Sequence, residues 1–187
     1  MRHNYATRAL VLGRASVREA GVLVFLLTPD LGLVRARAEG LRKPGSKLAH
    51  ALQTFSESDV ILLRGKDGWR LSGAVLVENH FASLAPEVRL RAGRIAGLLL
   101  RLVHGEQTDP ILFDIVRGLL IALPSLSPEE QDAAECIAAL RVLNVLGLDA
   151  GPVLAGEGYK PEALALSPEE RRDIVGRINR GIVASGL

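Results

Sequence analysis

Near residue 81 the apolar side chains change their spacing from every second residue to every third or fourth, so one chain must hold two kinds of regular structure. Before that point the apolar runs at residues 7–12, 22–28, 32–39, 56–64 and 69–78 read as strands. Turn residues such as Pro29-Asp30 and Gly65-Lys66-Asp67-Gly68 separate them. Residues 48–53 hold one or two helical turns between the third and fourth strands. Five strands with that insertion match a small Greek-key barrel of the OB type; a five-stranded meander packed on helices is the alternative.

After the change of period, helices are expected at residues 86–103, 110–123, 128–147 and 168–185. Ser127-Pro128-Glu129-Glu130 and Ser167-Pro168-Glu169-Glu170 each place Ser at the N-cap, Pro at the first helical position and Glu three residues past the cap. Apolar stripes such as Ile111-Phe113-Val116-Leu119-Leu120 and Ile137-Leu140-Leu143 need a common core. The expected fold class is therefore α+β: an OB-type five-stranded barrel over residues 1–80, then an all-α helical domain over residues 81–187.

Of the 187 residues 48% are hydrophobic and 24% charged, enough to bury a core without a metal or a disulfide. The single cysteine, Cys136, excludes an internal disulfide and any multi-cysteine zinc cluster, and is expected to be a small core residue. The net charge of +2 conceals a division. Residues 1–80 carry 12 Lys and Arg against 7 Asp and Glu, whereas residues 81–187 carry 11 against 14. A polyanion-facing surface belongs to the first half. Arg8 interrupts the start before any leader-like apolar core forms, and no apolar run approaches the roughly 20 residues of a membrane span. A soluble, cytoplasmic protein with no membrane partner is expected.

The stretch from Gly32 to Lys47 concentrates the positive charge, with Arg35, Arg37, Arg42, Lys43 and Lys47 against one acid, Glu39. Arg35 and Arg37 alternate with Ala36 and Ala38, so both arginines leave one strand face, and Pro44-Gly45 then holds the chain in a loop. A basic strand face running into a basic loop suits a polyanion backbone. A solvated edge strand followed by a plain loop fits the same residues.

Catalytic signatures are lacking. Gly40 and Gly45 bracket four residues as in a phosphate-binding loop, but Ser46 precedes Lys47, and Pro44 removes a backbone donor. His3, His50, His80 and His104 are dispersed without metal-ligand spacing, and each is expected on the surface or in a loop. The acid pairs Glu129-Glu130 and Glu169-Glu170 are first-turn helix charges. Arg89, Arg91, Arg94 and Arg101 share one helix; they form either a solvated face or the basic rim of a groove for an acidic, hydrophobic peptide tail.

The first 80 residues resemble the RecO family of bacterial recombination mediators. The resemblance is carried by Arg8-Ala9-Leu10-Val11-Leu12-Gly13-Arg14, Glu19, and Thr28 with Gly32-Leu33-Val34-Arg35. Its most specific part is Ala38-Glu39-Gly40-Leu41-Arg42-Lys43-Pro44 leading into Ala51-Leu52-Gln53-Thr54-Phe55, with Trp69-Arg70-Leu71 and Glu78 beyond. Ile111-Leu112-Phe113, the run from Leu140 to Leu148, and Ile178-Asn179-Arg180 continue it less specifically. Three departures stand out. Glu39 and Thr54 replace a common Lys and Pro, and the region from Asp149 onward lacks the four-cysteine zinc insertion of many members.

The resemblance implies an N-terminal OB domain and a C-terminal helical domain. It implies a non-enzymatic protein, without cofactor or metal, that binds single- and double-stranded DNA and anneals complementary strands. It further implies partners: RecR and the acidic C-terminal tail of single-strand DNA-binding protein, so that RecA is loaded indirectly at gaps near the bacterial nucleoid. The DNA-binding candidates are Arg14, Arg35, Arg37, Arg42, Lys43, Lys47, Lys66 and Arg70; the partner-binding candidates are Arg91, Arg94, Arg101 and Phe113. An interaction adaptor without direct DNA binding is the alternative. Only seven aromatic residues occur, with Tyr5, Phe25, Phe55 and Trp69 in the barrel, so backbone neutralisation is expected to outweigh base stacking. Neutralising about five phosphates would give a salt slope of roughly −3.5 to −4.5.

Overall fold

The computed structural model describes residues 3–17, 21–39, 47–104, 109–152 and 158–186. Strands β1 (His3–Val17), β2 (Gly21–Thr28), β3 (Gly32–Ala38), β4 (Ser56–Gly65) and β5 (Gly68–Asn79) form a closed barrel in the order β1-β2-β3-β5-β4. A short helix, α1 (Lys47–Ala51), lies between β3 and β4 in sequence. Closure rests on two unlike seams. β1 pairs antiparallel with β4 over eight registered residues, whereas β3 meets β5 in parallel at only Ala36↔Trp69 and Arg37↔Arg70.

The barrel interior is filled by alternate side chains, among them Ala9, Val11, Val24, Leu26, Val34, Ala36, Val60, Leu62 and Trp69. Leu52, fully buried just past α1, packs into the same core, with Leu48 and Ala49 against it. The Ser58 hydroxyl donates to the Ala51 carbonyl at 2.6 Å, fixing α1 to β4. The chain re-enters the sheet through Phe55, whose φ of 63° is unusual for a residue with a side chain. Its ring is buried and its amide donates to the Val11 carbonyl at 2.7 Å, so the tertiary structure holds that conformation in place.

β1 extends well beyond the expected residues 7–12 at both ends. A strand that must pair with β2 on one side and β4 on the other is lengthened by its partners, and polar residues at its ends mask the apolar alternation. The turn between β2 and β3 is closed by Thr28, whose hydroxyl accepts from the Leu31 amide and donates to the Gly32 carbonyl, with Gly32 at φ 67°.

Contacts divide the chain into two compact units, one of Met1–Ser83 with Val103–Phe113 and one of Leu84–Leu102 with Asp114–Leu187. The long helices are α3 (Pro86–Leu102), α4 (Pro110–Ala122), α5 (Pro128–Val145) and α7 (Pro168–Ala184). Three short elements escaped the sequence reading: α2 (His80–Ser83), a 3-10 turn (Leu123–Ser125) and α6 (Pro161–Leu164). Pieces of three or four residues have too few positions to show a helical period. Both capping boxes form: Ser127 and Ser167 each accept from the amide of the Glu three residues on, and Glu130 and Glu170 return the bond. Bonds from the Ser167 hydroxyl and amide hold the Glu170 carboxyl below its usual range. Among the described residues no helix is long and apolar enough to cross a membrane.

Within the second unit, α5 packs between α3 and α7. Gly181 lets α7 approach closely, since a Cβ there would lie 3.1 Å from a Leu143 methyl group. Arg177 reaches from α7 to the turn after α5, with Nε 3.1 Å and Nη2 2.5 Å from the two Asp149 carboxylate oxygens, and Nη2 also donates to the Pro152 carbonyl. Asn144 holds the same turn by donating to the Asp149 carbonyl. The Arg177 and Asp149 side chains are only 10% and 9% exposed, so removing one leaves the other charge poorly hydrated. Arg177→Ala should lower the stability of this unit by about 3–5 kcal/mol in urea denaturation. Arg177 holds the Asp149 carboxyl below its ordinary 3.8, so the pair's contribution is complete above that pH and is lost as acid takes the solution through the lower folded value.

Candidate nucleic-acid interface

The alternation along β3 points Val34, Ala36 and Ala38 into the barrel and leaves Arg35 and Arg37 exposed. Parallel pairing with β5 sets Arg37 beside Arg70 on the outer face, and Leu63 of β4 stands opposite Arg70 on its other side. β4 and β5 are joined by a tight hairpin in which Gly65 faces Gly68, with Lys66 and Asp67 at the tip and Gly68 at φ 99°. Together these elements line a cleft of about 750 Å³ whose cations are Arg37, Arg64, Lys66 and Arg70 and whose acids are Glu39 and Asp67. Glu39 lies 3.2 Å from Arg70, but the two side chains are 76% and 53% exposed, a geometry that contributes little in water. No ion pair joins Arg37 or Lys66 to a carboxylate of the described residues.

At one wall of the cleft the Arg64 guanidinium lies 4.8 Å from the centre of the Trp69 ring. Tyr5 meets the same ring edge-on at 5.1 Å. Trp69 is almost fully buried, while Tyr5 is 39% exposed. The cation and the two rings form one cluster, joined by a cation–π contact and an edge-to-face ring contact. Neither Arg64 nor Tyr5 belongs to the basic stretch from Gly32 to Lys47. The signal for Arg64 was present: a two-residue loop at Lys66-Asp67 forces Arg64 opposite Trp69.

The other DNA-binding candidates are placed differently. Arg35 lies two residues before Arg37 on the same strand, 5.9 Å from the Phe25 ring, and is not among the residues lining the cleft. Arg14 is exposed on β1 opposite Val24, also away from the cleft lining. Lys47 opens α1. Arg42 and Lys43 lie outside the described residues.

Arg8, a strand arginine of the first half, is already engaged: Nη1 donates to Glu57 at 2.8 Å and Nε to Asp59 at 2.6 Å. The bonds to Glu57 and then Asp59 raise its pKa further. His80 corrects the expectation of dispersed surface histidines, because it is 3% exposed and its ring lies against the buried Glu57. The turn from β5 into α2 folds it beneath the sheet.

In the helical unit, Arg91 bonds Asp132 and Glu135, and Arg94 bonds Glu135 through both Nε and Nη2. Arg171 binds Asp132 from α7 and is the main cause of that carboxyl's lowered pKa. These ion pairs give Arg91 and Arg94 a structural use between α3 and α5. Phe113 is 6% exposed, whereas Arg101 is exposed. Burial pushes the Cys136 thiol up, leaving it a poor nucleophile.

Residues 1–80 match the family described as "Recombination protein O N terminal". Over 175 residues the chain is 35% identical to the DNA repair protein RecO of Heliobacterium modesticaldum, covering 88% of this chain and 62% of that protein. The barrel half of the chain belongs to the RecO family. The RecO of Synechococcus elongatus is 31% identical over 163 residues, covering 87% of this chain and 57% of its own length. That of Dehalococcoides mccartyi strain 195 is 30% identical over 130 residues, covering 68% and 51%. The chain therefore spans about half to three fifths of the length of these curated RecO relatives.

Arg8 provides a test of the barrel's own electrostatics, separate from any ligand. Glu57 is 1% exposed, so Arg8→Met should destabilise the barrel by about 3 kcal/mol, and a second change, Glu57→Gln, should recover much of the loss. Thermal unfolding of the two single variants and the double variant measures that coupling.

Proposed function

We propose that this protein binds the sugar-phosphate backbone of DNA in the cleft between β3, β5 and the β4–β5 hairpin, and serves DNA repair as a RecO protein. The observation that carries the reading is the convergence of Arg37, Arg64, Lys66 and Arg70 in one cleft. Phosphate contacts position a strand without reading its sequence, which suits a protein that must accept any complementary pair. Tyr5, exposed beside the Arg64–Trp69 contact, supplies one place where a base could rest. Residues 1–80 act as the nucleic-acid-binding domain, with Arg14, Arg35, Arg42, Lys43 and Lys47 as further candidate contacts. Residues 81–187 hold partners, with the exposed Arg101 the candidate that keeps its charge available.

On this reading the protein performs no catalysis. It anneals complementary single strands, associates with RecR and with the acidic tail of single-strand DNA-binding protein, and so assists RecA loading in the bacterial cytoplasm. Resemblance to RecO proteins supports this sequence of roles.

Fluorescence-anisotropy titration of a labelled single-stranded oligonucleotide at several salt concentrations tests the cleft. Four neutralised phosphates give a log–log salt slope of about −3. Arg37→Glu with Lys66→Glu should weaken binding at least about tenfold and make the slope shallower by roughly 1.4. Glu39→Gln releases Arg70 from its ion pair and should tighten binding about two- to threefold. An adaptor without DNA contact would leave the oligonucleotide free at low salt in every variant.

A further inference from the structure

Beneath the barrel surface, away from the basic cleft, Glu57, Glu78 and His80 bring three ligand atoms within 4.8 Å of one another. Glu57 and Glu78 are register partners on β4 and β5, and His80 follows two residues later as the first residue of α2. Glu57 and His80 are 1% and 3% exposed, while Glu78 is 55% exposed and opens the group to solvent. A buried imidazole nitrogen ordinarily has a hydrogen-bond partner, yet His80 Nε2 has none among the described residues. It points at Glu57 Oε2 from 3.5 Å.

That separation is informative. A protonated imidazole bonded to a carboxylate closes to about 2.7–2.9 Å. Two ligands on a tetrahedral ion with bonds near 2.0 Å stand about 3.3 Å apart. In the tautomer protonated at Nδ1, which lies 3.8 Å from Glu78 Oε1, Nε2 and the Glu57 oxygen are two acceptors, which attract only when a positive charge lies between them. The surroundings also orient Glu57. Arg8 donates to Oε1 at 2.8 Å and is itself fixed by Asp59, which orients the carboxylate, and Oε2 lies 3.5 Å from His80 Nε2.

We propose that Glu57, Glu78 and His80 form a binding site for one divalent transition-metal ion of the zinc class. Glu57 Oε2 and His80 Nε2 are the buried ligands and the Glu78 carboxylate closes from the solvent side. One imidazole with two carboxylates is a donor set that Zn²⁺ accepts, and water completes the coordination. Bound there, the ion ties the end of β5 and the start of α2 to β4. The site is independent of the nucleic-acid reading.

The test uses the full chain, treated with chelator and then titrated calorimetrically with Zn²⁺, with Co²⁺ as a spectroscopic substitute. The expected result is one Zn²⁺ per chain, visible Co²⁺ absorption bands, and a melting temperature that rises with metal concentration. His80→Gln should abolish the binding. Glu78→Gln, an exposed change that leaves the core intact, should weaken it at least about tenfold even if the His80 variant does not fold. A His50→Gln, His104→Gln variant should keep the ion. The proposal is overturned if the unaltered chain takes up no Zn²⁺. Unchanged affinity in Glu78→Gln, or loss of the ion with His50 and His104, would overturn it equally.

Discussion

The barrel depends on a short parallel seam, in which Ala36 lies against Trp69 and Arg37 against Arg70. A parallel pair cannot be made by a hairpin, so the chain must cross from β3 to β5 through α1 and β4 before the cylinder closes. The seam also dictates side-chain size. Alanine at 36 and 38 leaves room inside the barrel for the Trp69 indole, and β3 can then carry arginine on the outside without disturbing the core. The residues that close the fold and those that charge its surface thus alternate on the same strands.

Arginines serve two different purposes in this chain. Arg8, Arg91, Arg94, Arg171 and Arg177 each bond carboxylates and hold elements within their own unit together. The Arg177–Asp149 pair is shielded from water, and Arg94 and Arg177 each engage both oxygens of one carboxylate through the guanidinium's fixed fork. The cations of the cleft are arranged otherwise. Arg64 lies over a ring, Arg70 shares an exposed and weak pair with Glu39, and Arg37 and Lys66 stand beside them. Formal charge counts do not separate these two groups.

Glu57 is the point where barrel packing and electrostatics meet. A carboxylate buried to this extent is costly unless it is compensated, and Arg8 from β1 provides the compensation across the antiparallel seam. Its second oxygen faces His80, so strand β4, strand β1 and helix α2 share one polar cluster. The same carboxylate stabilises the fold and sets the geometry of the cation site proposed beside it.

Much of the architecture was legible in the sequence because local patterns dictate it. The period-two runs gave strands β2 to β5 within a residue or two, and the Ser-Pro-Glu-Glu capping boxes located the starts of α5 and α7, since both depend on neighbours a few positions apart. The outward direction of Arg35 and Arg37 followed from the same alternation. Register is a different kind of fact. Only the closed barrel sets Arg37 beside Arg70 and folds His80 against Glu57, because each pairing joins residues whose separation along the chain carries no information about their distance in space. Tertiary structure likewise decided that Arg91 and Arg94 bind Glu135, since a helix face reads as solvated until the acid of its neighbour is known.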